Sequence, residues 1–269
     1  MNRAVRATAQ QWLAAGVPAV VVEVKATRGS VPREAGTRML VATTALAGTV
    51  GGGHLELQAI ALARELLNSG QAGPLERHFA LGPTLGQCCG GAMTLRLARL
   101  DRAALAAWPL PPSAFTLQLY GAGHVGRAIV GLLAGIDCRV QWIDEREEAF
   151  PAGALPPQVE AVCVPAVEAE VDIAPPGCSY LVLTHNHDLD ARITEAVLRR
   201  GDFGYLGLIG SRTKRARFLH RFEDRGVPAE ALARLTCPIG VPGIRGKQPE
   251  VIAVSVVAQL LQQAAVPST

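Results

Sequence analysis

Residues 2–15 place apolar side chains at helical spacing, and the run AVVVEV at 19–24 has strand composition. A polar loop, TRGSVPREAGTR, leads to a second predicted strand at 38–42 and a short third at 46–50. Gly51, Gly52 and Gly53 then precede HLELQAIALARELL, whose Leu55, Ile60, Leu62, Leu66 and Leu67 predict a helix with a partly buried face. Strands near 76–80 and 93–99 complete a small N-terminal α/β unit, expected over 1–105. The stretch AAWPLPPSA at 106–114 carries three prolines and reads as a linker.

From residue 115 the pattern changes. FTLQLY at 115–120 runs into GAGHVG and a predicted helix through Leu133. Further strands are expected at 139–144, 159–164, 180–184 and 205–209, separated by helical or loop stretches. Such alternation predicts a mainly parallel sheet covered on both faces, a Rossmann-like domain over 115–269.

Composition narrows the function. Of the 269 residues 49% are apolar and 18% charged, and mean hydropathy is +0.23, which excludes a disordered chain. The net charge of +3 and an aromatic fraction of 4% give no basis for a nucleic-acid surface. The N-terminal stretch has neither a signal peptide's apolar run nor a clean membrane span, so a cytoplasmic protein without membrane attachment is expected. Six cysteines without a C-x-x-C pair point away from a zinc ribbon or a disulfide framework.

The candidate chemistry lies in loops. Gly121-Ala-Gly123-His124-Val-Gly126 follows a strand and opens a helix, and Asp144 ends the next strand 18 residues after Gly126. Glycines there let the backbone approach a phosphate at the helix N-terminus, and the acid suits a ribose hydroxyl. Two later strands end in His185-Asn186-His187-Asp188 and in Gly210-Ser211-Arg212-Thr213-Lys214. Ser211 suits a helix cap, with Arg212 and Lys214 beside an anion; in a parallel sheet all three loops share one edge. The His-Asn-His-Asp loop has residue types found in binuclear metal hydrolases. It lacks the spacing, and no second histidine pair completes two metal sites.

In the N-terminal unit, Arg28, Ser30 and Arg33 sit on a glycine-punctuated loop, and Gly52, Gly53 and His54 begin a helix. Both suit an anionic or planar ligand, and both also suit ordinary turn chemistry. Gln87-Cys88-Cys89-Gly90-Gly91 offers two thiols as soft ligands, or as small buried hydrophobes. Core packing is the expectation for Cys138, Cys163 and Cys178. The loop from Cys237 to Gln248, before a helix opened by Pro249 and Glu250, is a candidate lid.

Taken together, TRGSVPREAGTRM, GTVGGGHLE, QCCGGAM, LYGAGHVGRA, LTHNHDLD, YLGLIGSRTKR and CPIGVPGIRGKQPEVIAVS resemble the xanthine dehydrogenase accessory protein family (XdhC/CoxI). They occur in that order from about residue 20 to 260. The resemblance implies a chaperone for the molybdenum cofactor in its molybdopterin form, not an enzyme. Its partners would be a cysteine desulfurase, which exchanges an oxo for a sulfido ligand, and apo-xanthine dehydrogenase. A homodimer is expected. His54 resembles the xanthine dehydrogenase branch, since relatives nearer the carbon monoxide dehydrogenase branch carry cysteine in that stretch. Carried onto this chain, Gly121, Gly123, Gly126 and Arg212 are assigned to the phosphate, and Cys88 and Cys89 to molybdenum or its sulfur. The alternatives are an NAD(P)-dependent oxidoreductase, for which no Tyr-x-x-x-Lys or other hydride-transfer set is evident, and an adaptor that holds no cofactor.

Overall fold

The computed structural model describes residues 2–69, 73–81, 90–109 and 113–264. The chain divides into two compact units, Met1–Pro111 and Pro112–Thr269.

The first unit is an antiparallel sheet of order β3-β2-β1-β5-β4, built from β1 (Ala19–Arg28), β2 (Arg38–Ala42), β3 (Leu46–Gly48), β4 (Leu75–Ala80) and β5 (Ala92–Arg99). Strand alternation sends Val20, Val22, Val24, Met39 and Val41 to one face, where they pack on Leu55, Ala59, Ala63 and Leu66 of α2 (Gly53–Asn68). Val21 and Leu40 point to the other face, against Val5 and Ala9 of α1 (Asn2–Ala14). Burial of each such Leu or Val contributes about 1.5–3 kcal/mol. β1 runs four residues past the expected Val24, because Ala26–Arg28 continue the ladder on Ala92–Thr94 beyond a bulge. A short α3 (Arg102–Ala106) follows, with Asp101 Oδ1 accepting from the Ala104 N–H at 2.6 Å. Part of the stretch expected as a linker is core: Trp108 is 3% exposed and packs with Val21 and Leu40.

The second unit is a six-stranded, wholly parallel sheet of order β11-β10-β9-β6-β7-β8. Its strands are β6 (Thr116–Tyr120), β7 (Arg139–Asp144), β8 (Val159–Cys163), β9 (Ser179–Val182), β10 (Tyr205–Leu208) and β11 (Leu235–Thr236). Numbered within the unit, this is the 3-2-1-4-5-6 order of a doubly wound nucleotide-binding fold. One face is covered by α4 (His124–Leu133) and α9 (Pro249–Ala264), through Ile129, Val130, Leu133, Ala253, Val256 and Leu260. The opposite face is covered by α5 (Glu170–Ile173), α6 (His187–Arg200), α7 (Arg212–Asp224) and α8 (Ala229–Ala233). Cys138 and Cys178 are buried as expected, but Cys163 is exposed, because it ends the edge strand β8. Burial pushes the Cys178 thiol up to about 11. The first part of the 237–248 loop is fastened down: Gly240 N–H donates to Gln259 Oε1 at 2.7 Å, and Val241 N–H to the Ser255 carbonyl at 3.3 Å. A freely opening lid there would have to break these bonds.

Candidate cofactor-binding site

The sheet order places its topological switch point between β6 and β9, so the crevice lies at Gly121–His124 and Leu183–His187. The two loops press together. A Cβ on Gly121, whose φ is +117°, would stand 2.4 Å from the Leu183 carbonyl oxygen, and one on Gly126 would stand 2.1 Å from the Gly121 carbonyl oxygen. Those two glycines are required by the backbone itself. Gly123 differs: a Cβ there meets nothing within 4 Å. It is the N-cap of α4, and no side chain caps the helix.

The neighbouring helix starts are self-satisfied. Asn186 caps α6, its side-chain oxygen accepting from Asp188 N–H at 2.8 Å and Leu189 N–H at 3.3 Å. Ser211 caps α7 as expected, accepting from Lys214 N–H at 3.1 Å. Among these three sheet-edge helices, α4 is the one that keeps its first-turn N–H groups without a side-chain cap.

Lys214, expected beside an anion, is engaged within the chain. Its ammonium turns inward to Asp190 Oδ2 at 2.5 Å and the Ile209 carbonyl at 2.9 Å, and both side chains are buried. Gly210 permits that path, since a Cβ there would stand 2.6 Å from Lys214 Cδ. Asp190 is in turn held by Thr184, whose hydroxyl donates to Oδ1 at 2.7 Å. The pair ties the loop after β9 to the loop after β10. Arg212 stays exposed, on a groove of about 500 Å³ shared with Arg215, Cys237 and Pro238.

Asp144 is spent within the chain. Its Oδ2 accepts from Ala122 N–H at 2.7 Å and from the Arg146 guanidinium at 3.0 Å, and its Oδ1 accepts from the Arg146 N–H and Nε, each at 3.0 Å. Four donors fill the roughly four acceptor positions of a carboxylate, which leaves none for a ribose hydroxyl. Burial raises the Asp144 pKa, but the hydrogen bonds from Arg146 and Ala122 outweigh it and hold the carboxyl below the ordinary aspartate range. His185 lies across the crevice with Nε2 3.7 Å from Glu145 Oε1, and His124 is the first residue of α4.

In the N-terminal unit three glycine-bearing segments converge. A Cβ on Gly91 would stand 2.3 Å from the Ser30 carbonyl oxygen and 2.5 Å from that of Arg28, and one on Gly51 would stand 2.5 Å from Pro32 Cγ. The 51–54 turn is not an open anion cradle. Glu56 Oε2 accepts from Val50 N–H and Gly52 N–H, each at 3.1 Å, and from the Thr49 hydroxyl. Gly52 and Gly53 therefore shape a nest already holding a carboxylate, and His54 is exposed beside Gln58, Nε2 to Nε2 at 2.8 Å. On the adjoining loop the Arg33 Nε is buried with no hydrogen-bond partner, an orphaned donor. Cys88 and Cys89 lie outside the described residues. Among the described residues no group of three or more His, Cys, Asp or Glu side chains is placed to hold a metal ion. None of their helices is long and apolar enough to cross a membrane.

Residues 117–260, more than half of the chain, match the XdhC Rossmann domain, and residues 12–79 match the XdhC and CoxI family. The chain belongs to the XdhC and CoxI family. It is 30% identical over 255 residues to the uncharacterized protein YqeB of Escherichia coli (strain K12). That alignment covers 91% of this chain but 43% of YqeB, so the chain spans less than half the length of that relative. A crystal structure from Bacillus halodurans, described as a xanthine dehydrogenase, superposes with a TM-score of 0.75 over 97% of this chain and 98% of its own, at 19% identity. That likeness establishes the fold. Sequence reasoning missed three features of this family member: the Lys214–Asp190 pair, the carboxylate of Glu56 in the glycine turn, and Arg146 on Asp144. Glu56 had a local signal, an acid four residues after Gly52; the Lys214–Asp190 pair had none.

Proposed function

We propose that this chain binds the molybdenum cofactor in its molybdopterin form, protects it while a cysteine desulfurase exchanges an oxo for a sulfido ligand, and delivers it to apo-xanthine dehydrogenase. Membership of the XdhC and CoxI family supports a part in xanthine dehydrogenase maturation. The single structural observation that carries the reading is the uncapped start of α4, with open space at Gly123, in a chain of that family. A phosphate is the group such a helix start accepts, through N–H groups and the positive end of the helix dipole. Arg212 supplies a nearby guanidinium on the same sheet edge, and His124 and His185 flank the crevice. In the N-terminal unit the unsatisfied Arg33 Nε, with Arg28 and Ser30 on the same loop, suits a ligand rich in acceptor edges. Cys88 and Cys89 are assigned to the molybdenum end, where thiolates are soft donors. The protein is a carrier acting in the cytoplasm, as a homodimer, and the cofactor is its cargo.

Native mass spectrometry of the full chain mixed with released cofactor, in oxo and sulfurated forms, tests the reading, with activation of apo-dehydrogenase as the second readout. Cys88→Ser/Cys89→Ser is expected to fold, to lose most cofactor retention and to fail in activation. Activation equal to wild type would reduce both cysteines to packing residues. The 3-2-1-4-5-6 order favours a second reading, an NAD(P)-dependent oxidoreductase, and the filled carboxylate of Asp144 counts against it. Tight NADPH binding with hydride consumption, and no retention of pterin, would put that reading first.

A further inference from the structure

The outward side of α9 has no charged cover. From Val251 to Ala264 the helix carries no charged residue. Ala253, Val256, Val257 and Leu260 face the sheet and are buried. On the other side Val254 and Leu261 are 49% and 40% exposed, with Val251 and Ala258 half-buried along the same stripe. A helix that is apolar on both sides is expected to be covered on both. On the opposite face of the sheet the outer helices obey the usual pattern: α6 exposes Arg192 and Arg199, and α7 exposes Arg212 and Arg217. The helix packed beside α9, α4, exposes Leu132 (42%), while its one arginine, Arg127, is turned to the Ala122 and Ala149 carbonyls.

The stripe has an order of its own. Val251, Val254, Ala258 and Leu261 stand at steps of three, four and three, the seam of a helix that packs lengthwise on another helix. Those steps read the same from either end. Laid antiparallel on a second copy of itself, the stripe sets Val254 opposite the partner's Ala258 and Val251 opposite the partner's Leu261. Glu250, the one charged residue of α9, lies in the first turn. Antiparallel packing holds the two glutamates about 18 Å apart along the axis, whereas parallel packing would bring them together. The face of α9 and α4 is about 24 Å long and 20 Å wide, so a pair of copies covers roughly 1,000 Å² in total. That is the lower end for a specific interface, which suits a reversible dimer.

We propose that the outward stripe of α9 is the interface between two copies of this chain, packed antiparallel about a two-fold axis near Val256. A charge-free stripe meets its own copy without repulsion, and its spacing fits that copy in register. The proposal rests on the homodimer of the reading above and adds the surface, its residues and the orientation.

Sedimentation velocity of the full chain, from about 1 to 100 μM, reads the assembly, and wild type is expected to pass from monomer to dimer across that range. Val254→Glu, at an exposed position that leaves the core intact, should weaken the dimer at least about ten-fold with the circular dichroism unchanged. Ala258→Lys should do the same. An equimolar mixture of the two variants sets glutamate opposite lysine and should associate more tightly than either variant alone. Gln263→Glu adds the same charge to α9 away from the stripe, and its dimer should equal that of wild type. A Val254→Glu dimer as tight as wild type, an equal loss in Gln263→Glu, or a mixture no tighter than its components would overturn this interface alone. Wild type that stays monomeric throughout would overturn the interface and the homodimer together. Cofactor retention, measured separately, tests the carrier reading without reference to either.

Discussion

Replacing Gly123 by Asp should make the protein more stable and a worse ligand binder at once. The position has φ −73° and ψ −171°, the extended conformation of an N-cap, and nothing lies within 4 Å of a Cβ built there. Aspartate is among the best N-caps, so its carboxylate should accept from the free N–H groups of the first turn of α4. Relative to glycine, the cap contributes a few tenths of a kcal/mol and the helix dipole 0.3–1, together about 0.5–1.5 kcal/mol. For a unit of this size that corresponds to a rise in Tm of about 1–6 °C. The same carboxylate occupies the place proposed for the phosphate. Repulsion and lost hydrogen bonds of roughly 1–3 kcal/mol should weaken cofactor binding about 5- to 150-fold. Differential scanning calorimetry and native mass spectrometry on one preparation read both quantities. A lower Tm would mean that the α4 start is not the open cap described, and a higher Tm with wild-type retention would remove the phosphate from this helix.

Gly126→Ala should do the opposite, because its Cβ would stand 2.1 Å from the Gly121 carbonyl oxygen. Stability measured by urea unfolding should fall by at least the upper end of the roughly 1–3 kcal/mol typical of overpacking, and a loss below half of that would contradict the close approach. Lys214→Met leaves Asp190 buried without its counter-ion, and a loss of about 3–5 kcal/mol is expected; a change no larger than the roughly 1 kcal/mol of a surface pair would show that the two do not form a buried bridge. For Asp144 the folded pKa lies below its unfolded value, so its contribution is full above the ordinary aspartate value of about 3.9 and is lost as pH falls through the lower folded value. In Arg146→Gln the side-chain bond and charge are gone while burial remains, so the folded pKa rises and the contribution is lost at higher pH. Acid unfolding followed by circular dichroism should shift its midpoint upward, and an unmoved midpoint would refute the pairing.

The alternation of strands and helices after residue 115, the glycine turn into α4, the apolar stripe of α2 and the Ser211 cap were all legible along the chain. Each is decided by neighbours within a few residues: strand composition, helical spacing, a side chain that reaches the N–H three positions on. The run Val20–Val24 also announced a strand, and the odd residue in it, Glu23, was the visible trace of a charged row on the sheet face opposite α2. What that glutamate meets was not legible, because Arg38 and Arg96 reach it only through strand pairing. The same holds for Lys214 and Asp190, 24 residues apart and joined by the parallel order of β9 and β10. Of the three loops expected to share one phosphate site, two open helices whose starts are closed by their own side chains, Asn186 and Ser211, and Lys214 turns to Asp190. In the other unit Glu56 enters the glycine turn that looked open. Sequence alone determined most of the strands and helices, though not α3, α8 or β11, and the glycine positions where backbone can come close. Tertiary structure decided which polar groups remain unsatisfied, since a donor or acceptor is free only after every partner that the fold brings within about 3 Å has been counted.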